Sequence, residues 1–195
     1  SGHPVTLILA RELVNSFFDP ALAGLGLDSY DAGSRKIPYR IAEEYTGSEL
    51  AGIEYEQLIQ WVKPRGPAFR VITGDFVTTD EGTGIVHIAP TFGADDDRVA
   101  RQHGICPLVV ADAEGKTQPL VDRKGRFFPI GDMETGFVEE YVDTLRYAPF
   151  SGRYVKNEYD GSIPDDQPTV DVDIAVMLKQ EDKAFRIEKH VHSYP

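Results

Sequence analysis

The sequence predicts an α+β fold that is mainly β, with closely spaced strands forming a barrel or strongly bent sheet and helices at its periphery. Three observations predict it. Short extended runs between positions 39 and 88 are separated by Gly-bearing turns. Apolar residues at helical spacing form a stripe over Asp132 to Tyr147. A length of 195 residues with 41% hydrophobic content suits one sizeable core, so a single domain over 1–195 is expected.

Val5 to Ala10 is a short apolar run of buried-strand type, and Arg11 to Phe18 (RELVNSFF) spaces its apolar residues for one helix face, ended by Pro20. Ala21 to Lys36 has no sustained period and reads as loop. Extended segments follow at Tyr39 to Tyr45, Leu50 to Tyr55, Phe69 to Ile72, Asp75 to Thr78 and Gly84 to Ile88, separated by TGSE, KPRGP, TG and DEGTG. A helix is predicted from Ala94 to His103, with an acidic first turn and Gly104 as the C-terminal cap. Pro107 to Ala111 and Arg126 to Phe128 read as strands flanking the AEGK and DRKG turns. Phe137, Val138, Tyr141, Val142 and Leu145 give the helix over Asp132 to Tyr147, with Asp132 as its N-cap. Asp160 to Pro168 is a polar loop. Val170 to Leu178 alternates like a strand, but Thr169 before it and Lys179 to Lys183 after it favour a helix. Ala184 to Tyr194 reads as a last strand, and no internal repeat is present.

Charge and cysteine content narrow the classes of function. A net charge of -12 repels polyanions, so the isolated chain is not expected to bind nucleic acid unaided. Cys106 is the only cysteine, which excludes an intrachain disulfide and is compatible with the cytosol. No apolar run approaches the roughly 20 residues of a membrane span, and the expectation is a cytoplasmic protein with no membrane partner. The opening SGHPVTLILA lacks a starting Met and HVHSYP stops in a β-like run, which reads as an excised piece of a larger chain.

The chemistry concentrates in GTGIVHIAPTFGADDDRVARQHG, positions 82–104. Alternation along GIVHI sets His87 on the face opposite Val86 and Ile88. Ala89-Pro90 gives an extended exit, Gly93 permits a sharp turn, and Asp95, Asp96 and Asp97 fall at a helix start. The plain reading is a strand-end histidine and an acidic cap favoured by the helix dipole. The functional reading gives one aspartate a cationic group such as an α-ammonium, and gives His87 a water, a hydroxyl or an ester oxygen to orient. Together these suit an aminoacyl ester.

Other motifs carry less. Gly82-Thr83-Gly84 lacks the spacing of a phosphate loop and reads as a turn. His103 with Cys106, and His190 with His192, have ligand-like spacings but no completing pair, so no metal site is expected. Trp61 to Arg70 (WVKPRGPAFR) is the one basic stretch with interleaved aromatics; it reads as a solvated loop, with a weak nucleic-acid contact as the alternative.

VTTDEGTGIVHIAPTFGADD at 77–96 and FRIEKHVHSYP at 185–195 resemble the editing insertion of the isoleucyl-tRNA synthetases over nearly the whole chain. GTGIVHIAP with FGADD is shared by the isoleucyl, valyl and leucyl group, while TLILAREL and HSYP favour the isoleucyl member. The resemblance implies a closed six-stranded β-barrel inserted into a Rossmann-type catalytic domain. It implies hydrolysis of valine wrongly joined to tRNA(Ile), or of valyl-adenylate, in an enzyme that joins isoleucine to tRNA using ATP. One methylene discriminates too weakly in an apolar pocket, a limit for which this family is itself the standing example, so a second, smaller pocket removes the shorter amino acid.

By resemblance His87 and Asp96 are the catalytic positions: His87 beside the substrate side chain and the attacking water, Asp96 on the α-ammonium. Phe92, Thr91, Gly82, Thr83 and Tyr194 are implied as substrate-binding, Phe92 lining the pocket and Tyr194 packing near the terminal adenosine. The expected partners are the tRNA(Ile) acceptor end, valine or valyl-adenylate, and the rest of the synthetase. No cofactor is implied in this domain; ATP and Mg belong to the parent's synthetic site. The threonine-rich strand of the family (TTTPWTLP) and the HIGH- and KMSKS-type signatures have no match here, so impaired editing is expected of the piece alone. The alternatives are a binding module for aminoacyl or tRNA ends without turnover, and the editing domain of the valyl relative.

Overall fold

The computed structural model of the chain describes residues 3–156, 164 and 169–187. Two compact units result, Ser1–Tyr55 with Phe69–Ala89, and Glu56–Ala68 with Pro90–Pro195.

The second unit holds the core. Trp61, Val62, Val110, Ala111, Phe127, Met133, Phe137, Tyr147, Phe150 and Val170 form one buried cluster. Trp61 stacks on Phe150 with ring centroids 4.1 Å apart and meets Phe127 edge-on at 5.8 Å. Tyr147 is fully buried, and its hydroxyl donates to the Phe128 carbonyl at 2.7 Å, so its polar tip is satisfied within the apolar cluster.

Around that core the chain forms α2 (Ala94–Gln102), β1 (Val109–Ala111), β2 (Thr117–Pro119), α3 (Thr135–Tyr141), α4 (Thr144–Tyr147) and α5 (Val170–Gln180), following α1 (Val14–Phe17) in the first unit. β1 and β2 pair antiparallel, Val109 opposite Pro119 and Ala111 opposite Thr117. Asp112 closes their turn: its carboxylate accepts from the Lys116 amide at 2.8 Å and from the Gln118 side chain at 2.7 Å. The Gln118 hydrogen bond is the main reason the Asp112 carboxyl lies below the ordinary range.

The first unit is built of short turns and bridges. The 3₁₀ turn Arg11–Leu13 runs into α1, and Asp19 caps the 3₁₀ turn Pro20–Leu22 by accepting from the Ala21 amide at 2.9 Å. Glu54 and Arg70 form an isolated antiparallel bridge, flanked by the Tyr55 amide to the Phe69 carbonyl and the Val71 amide to the Ile53 carbonyl, both at 2.8 Å.

Several expectations are corrected. The closed six-stranded barrel is absent: among the described residues the only sheet is the β1–β2 pair, alongside isolated bridges, although a mixed α+β class stands. A barrel needs inward-facing side chains to fill its interior. Here Ile41, Tyr45, Ile53, Tyr55, Ile85 and Val86, all on the predicted strands, remain exposed, so no pleated face is buried. Strand preference reports the fit to a half-buried sheet surface, and without that surface it forms no strand. Val5 to Ala10 fails likewise, with Val5 62% and Ile8 60% exposed.

The predicted helix over Asp132 to Tyr147 is broken into α3 and α4, and Glu134, not Asp132, holds the N-cap position of α3. Val142 turns extended between them because its neighbours pair elsewhere. The Tyr141 carbonyl accepts from the Lys63 amide at 2.8 Å, the Asp143 amide donates to the Trp61 carbonyl at 2.9 Å, and Val142 bridges Val62. Arg126 to Phe128 makes single bridges to Tyr154 and Val121 instead of a strand. The helices expected at 94–103 and 170–178 form as α2 and α5, with Gly104 at φ 64° after α2. Ala184 to Ile187 is not strand, and the remainder of that predicted element lies outside the described residues, as does most of the loop at 160–168.

Candidate functional site

The motif over 82–104 is divided between the two units, which separate at Ala89 and Pro90. Gly82, Thr83 and His87 belong to the first unit; Thr91, Phe92 and Asp96 belong to the second. Tyr194 lies outside the described residues.

In the first unit, Gly82 and Gly84 both take positive φ, at 60° and 75°, and the Thr83 carbonyl accepts from the Ala10 amide at 2.7 Å. A Cβ on Gly84 would stand 2.4 Å from the Ala10 Cβ, so both the conformation and the close approach require glycine. The Thr83 hydroxyl donates to the Ile85 carbonyl at 3.2 Å. These bonds tie the loop to the chain at Ala10. His87 is exposed beyond it. The expected alternation, with Val86 on a core face and His87 opposite, is not realised, because Val86 is itself 48% exposed.

In the second unit the helix start is better defined. The Thr91 hydroxyl lies 3.4 Å from the Leu108 carbonyl, at the long end for a hydrogen bond, and Phe92 is 66% exposed. Gly93 is the N-cap of α2 and offers no side-chain cap. The three aspartates then diverge. Asp95 pairs with Arg98 at 3.3 Å, and Asp97 with Arg101 at 2.9 Å, at the i,i+3 and i,i+4 spacings that bring side chains together on a helix. Asp96 does neither. Its carboxylate folds over Gly93, where an added Cβ would stand 3.0 Å from both Cγ and Oδ2. Gly93 is thus the residue that lets Asp96 take this position.

Chemically, the second unit presents the Asp96 carboxylate at the positive end of a nine-residue helix, close in sequence to an exposed aromatic ring. A carboxylate so placed can accept from an ammonium group, and an exposed ring can take an apolar side chain or a base. Among the described residues no group of three or more His, Cys, Asp or Glu is placed to hold a metal ion, and no helix is long and apolar enough to cross a membrane.

One feature of the second unit escaped sequence reasoning. The Arg65 guanidinium lies 5.0 Å over the Phe137 ring and 5.8 Å over that of Tyr141. The basic, aromatic-bearing stretch Trp61 to Arg70 signalled a special loop, but the rings that hold Arg65 come from α3, far along the chain.

No protein-family profile matches the chain. Individual curated proteins do. The isoleucine–tRNA ligase of Bacteroides fragilis is 48% identical over 195 residues, covering 100% of this chain and 17% of that protein. That of Porphyromonas gingivalis is 50% identical over 196 residues, again 100% of this chain and 17% of the ligase. The Cytophaga hutchinsonii ligase is 42% identical over 205 residues, covering 98% of this chain and 17% of its own length. The chain thus spans about a sixth of the relatives it matches. At such identity from end to end, it belongs, as a segment, to the isoleucine–tRNA ligase family.

Proposed function

We propose that the chain is the editing part of an isoleucine–tRNA ligase and hydrolyses valine esterified to tRNA(Ile), or valyl-adenylate. The observation that carries the reading is the end-to-end similarity to isoleucine–tRNA ligases in a segment that contains GTGIVHIAP and FGADD. The seat of the Asp96 carboxylate over Gly93, at the start of α2, is compatible with the assignment of Asp96.

In this reading water attacks the carbonyl carbon of the ester. The bond to the ribose oxygen breaks, the tRNA leaves with its terminal hydroxyl restored, and valine is released. Asp96 holds the α-ammonium and so fixes the carbonyl relative to the water, which removes much of the entropic cost of bringing the reactants together. His87 orients the water and excludes the larger isoleucine by its bulk. Phe92, Thr91, Gly82, Thr83 and Tyr194 are the further substrate-binding positions that the family resemblance implies. These roles need no metal or cofactor; ATP and Mg serve ligation elsewhere in the parent enzyme. The tRNA is brought by the remaining segments of the synthetase, since a chain of net charge -12 attracts no polyanion at a distance.

The test is deacylation of Val-tRNA(Ile) by an intact ligase carrying this segment and by the segment alone, with Ile-tRNA(Ile) as control. Hydrolysis selective for the valyl ester, lost when the segment is deleted, is expected. Equal hydrolysis with and without the segment would refute the proposal.

A further inference from the structure

We infer that the loop Lys63 to Pro67 is a phosphate-contact site for RNA, in which Arg65 is held over a pair of stacked rings and Lys63 adds a second positive charge. The inference rests on the editing reading only in naming tRNA as the RNA concerned. It starts from three observations within the second unit.

The first is that the loop is fixed at both ends. The Lys63 amide donates to the Tyr141 carbonyl at 2.8 Å, and the Pro67 carbonyl accepts from the Cys106 amide at 2.6 Å. Between them Pro64 and Pro67 restrict the backbone, and Gly66 lies against Cys106, where an added Cβ would meet the Cys106 Cβ at 3.4 Å.

The second is the posture of Arg65. Phe137 and Tyr141, one turn apart on α3, stack at 5.1 Å with their planes 19° apart, and the exposed guanidinium lies over both rings. Cation–π contact of this kind occupies the face of the guanidinium and leaves its in-plane N–H donors for an anion. The planar fork matches the two oxygens of a phosphate.

The third is that these charges are not spent within the molecule. Arg98, Arg101, Arg146 and Arg153 all pair with aspartates. Among the described residues neither Lys63 nor Arg65 makes an ion pair, although both are exposed. Lys63 borders an open cleft of about 640 Å³ together with Gln57, Arg146, Glu139, Glu140 and Asp143. Those three carboxylates keep a long polyanion out of the cleft. They limit the contact to one or two phosphates at the loop, which suits a single-stranded end better than a duplex.

The magnitude follows from counterion release, for which each phosphate neutralised on a single strand contributes about 0.7 to the slope of log affinity against log salt. Two contacts give a slope of about 1.4, so a fourfold rise in salt weakens binding through this loop by about sevenfold. The experiment compares an intact ligase carrying the segment with its Lys63→Gln/Arg65→Gln variant. It measures tRNA(Ile) binding by fluorescence anisotropy at several salt concentrations, alongside hydrolysis of Val-tRNA(Ile) and of a small valyl ester. Trp61 fluorescence of the segment, with and without the substitutions, verifies folding, and Arg65→Lys retains charge without the planar fork.

The expected result is a salt slope lower by about 1.4 in the double variant, a higher KM for Val-tRNA, unchanged turnover of the small ester and partial recovery with Arg65→Lys. An unchanged slope overturns the inference, including the case in which the variant loses binding to a polyglutamate peptide instead, which would mark an acidic protein as the partner. If the slope falls while the parent hydrolyses no valyl ester, the RNA contact stands and the editing reading fails; if hydrolysis proceeds and the slope is unchanged, the reverse holds.

Discussion

Replacing Tyr147 with Phe tests the core through a single oxygen atom. The ring is fully buried between Trp61 and Phe127, with centroids at 5.9 and 6.2 Å, and Phe fills the same space. What is lost is the hydrogen bond to the Phe128 carbonyl at 2.7 Å. A bond of this type contributes about 0.5–1.5 kcal/mol net, and an acceptor left buried without its donor costs about 1–3 kcal/mol. The expected loss is therefore about 1–2 kcal/mol. With a urea dependence of about 2 kcal/mol per molar, the midpoint falls by roughly 0.5–1 M.

Trp61, the only tryptophan, is 3% exposed and stacked on Phe150, so its fluorescence reports this transition. A pH series sharpens the test. Burial pushes the Tyr147 phenol far above its ordinary value, so the native state retains a proton that the unfolded state releases above about pH 10. The native state then binds more protons, and stability falls as pH rises from about 10 toward the folded value. The Phe variant lacks this component and its alkaline decline is shallower. Equal midpoints at neutral pH and identical alkaline limbs in the two proteins would refute the account of Tyr147.

Four further outcomes are expected. Asp96→Ala in an intact ligase carrying the segment weakens deacylation of Val-tRNA(Ile) by about tenfold or more, because a charge-assisted hydrogen bond of about 1.5–3 kcal/mol is lost; undiminished editing would remove Asp96 from the site. His87→Ala enlarges the pocket and exposes Ile-tRNA(Ile) to hydrolysis, and continued protection of the isoleucyl ester would disprove the steric role. Limited proteolysis cuts first within Ser1–Tyr55 or Phe69–Ala89 while the Trp61 signal persists, since among the described residues all the buried hydrophobic side chains belong to the other unit; first cuts between Pro90 and Lys156 would contradict this. At Asp171, burial works to raise the carboxyl pKa, but hydrogen bonds from Lys156 and Thr169 outweigh it and hold the group low. Its contribution is present above the unfolded value of about 3.9 and is lost as pH falls through the lower folded value, so Asp171→Asn flattens the acid limb of the Trp61 unfolding profile. A limb of unchanged steepness would show that the Lys156 pair contributes nothing.

The parts of the fold that were legible in the sequence are those whose cause is local. α2 begins at an acidic turn and ends before Gly104, and α5 begins after Thr169; each signal lies within a few residues of the structure it specifies. The break between α3 and α4 has its cause at Trp61 to Lys63, far back in the chain, whose backbone captures Tyr141 and Asp143. Periodicity could not anticipate it, because Phe137, Val138, Tyr141, Val142 and Leu145 fit one helical stripe whether or not Val142 leaves the helix. The barrel failed for a related reason. Alternation in Tyr39 to Tyr45 or Gly84 to Ile88 marks residues able to line a sheet, while a sheet also needs backbone partners and an opposing apolar layer.

The candidate site divides along the same line. The sequence pointed to three aspartates at a helix start and could not rank them by spacing, since each is compatible with a capped helix. What separates them is the placement of Arg98 and Arg101, three and four residues beyond Asp95 and Asp97, so that both flanking carboxylates are occupied on the helix surface. The middle one faces Gly93, and a side chain there would displace it. Two arginines and one glycine thus give the three aspartates of one acidic cap different surroundings. Under the editing proposal it is Asp96, seated over Gly93, that would accept from the ammonium group of the ester.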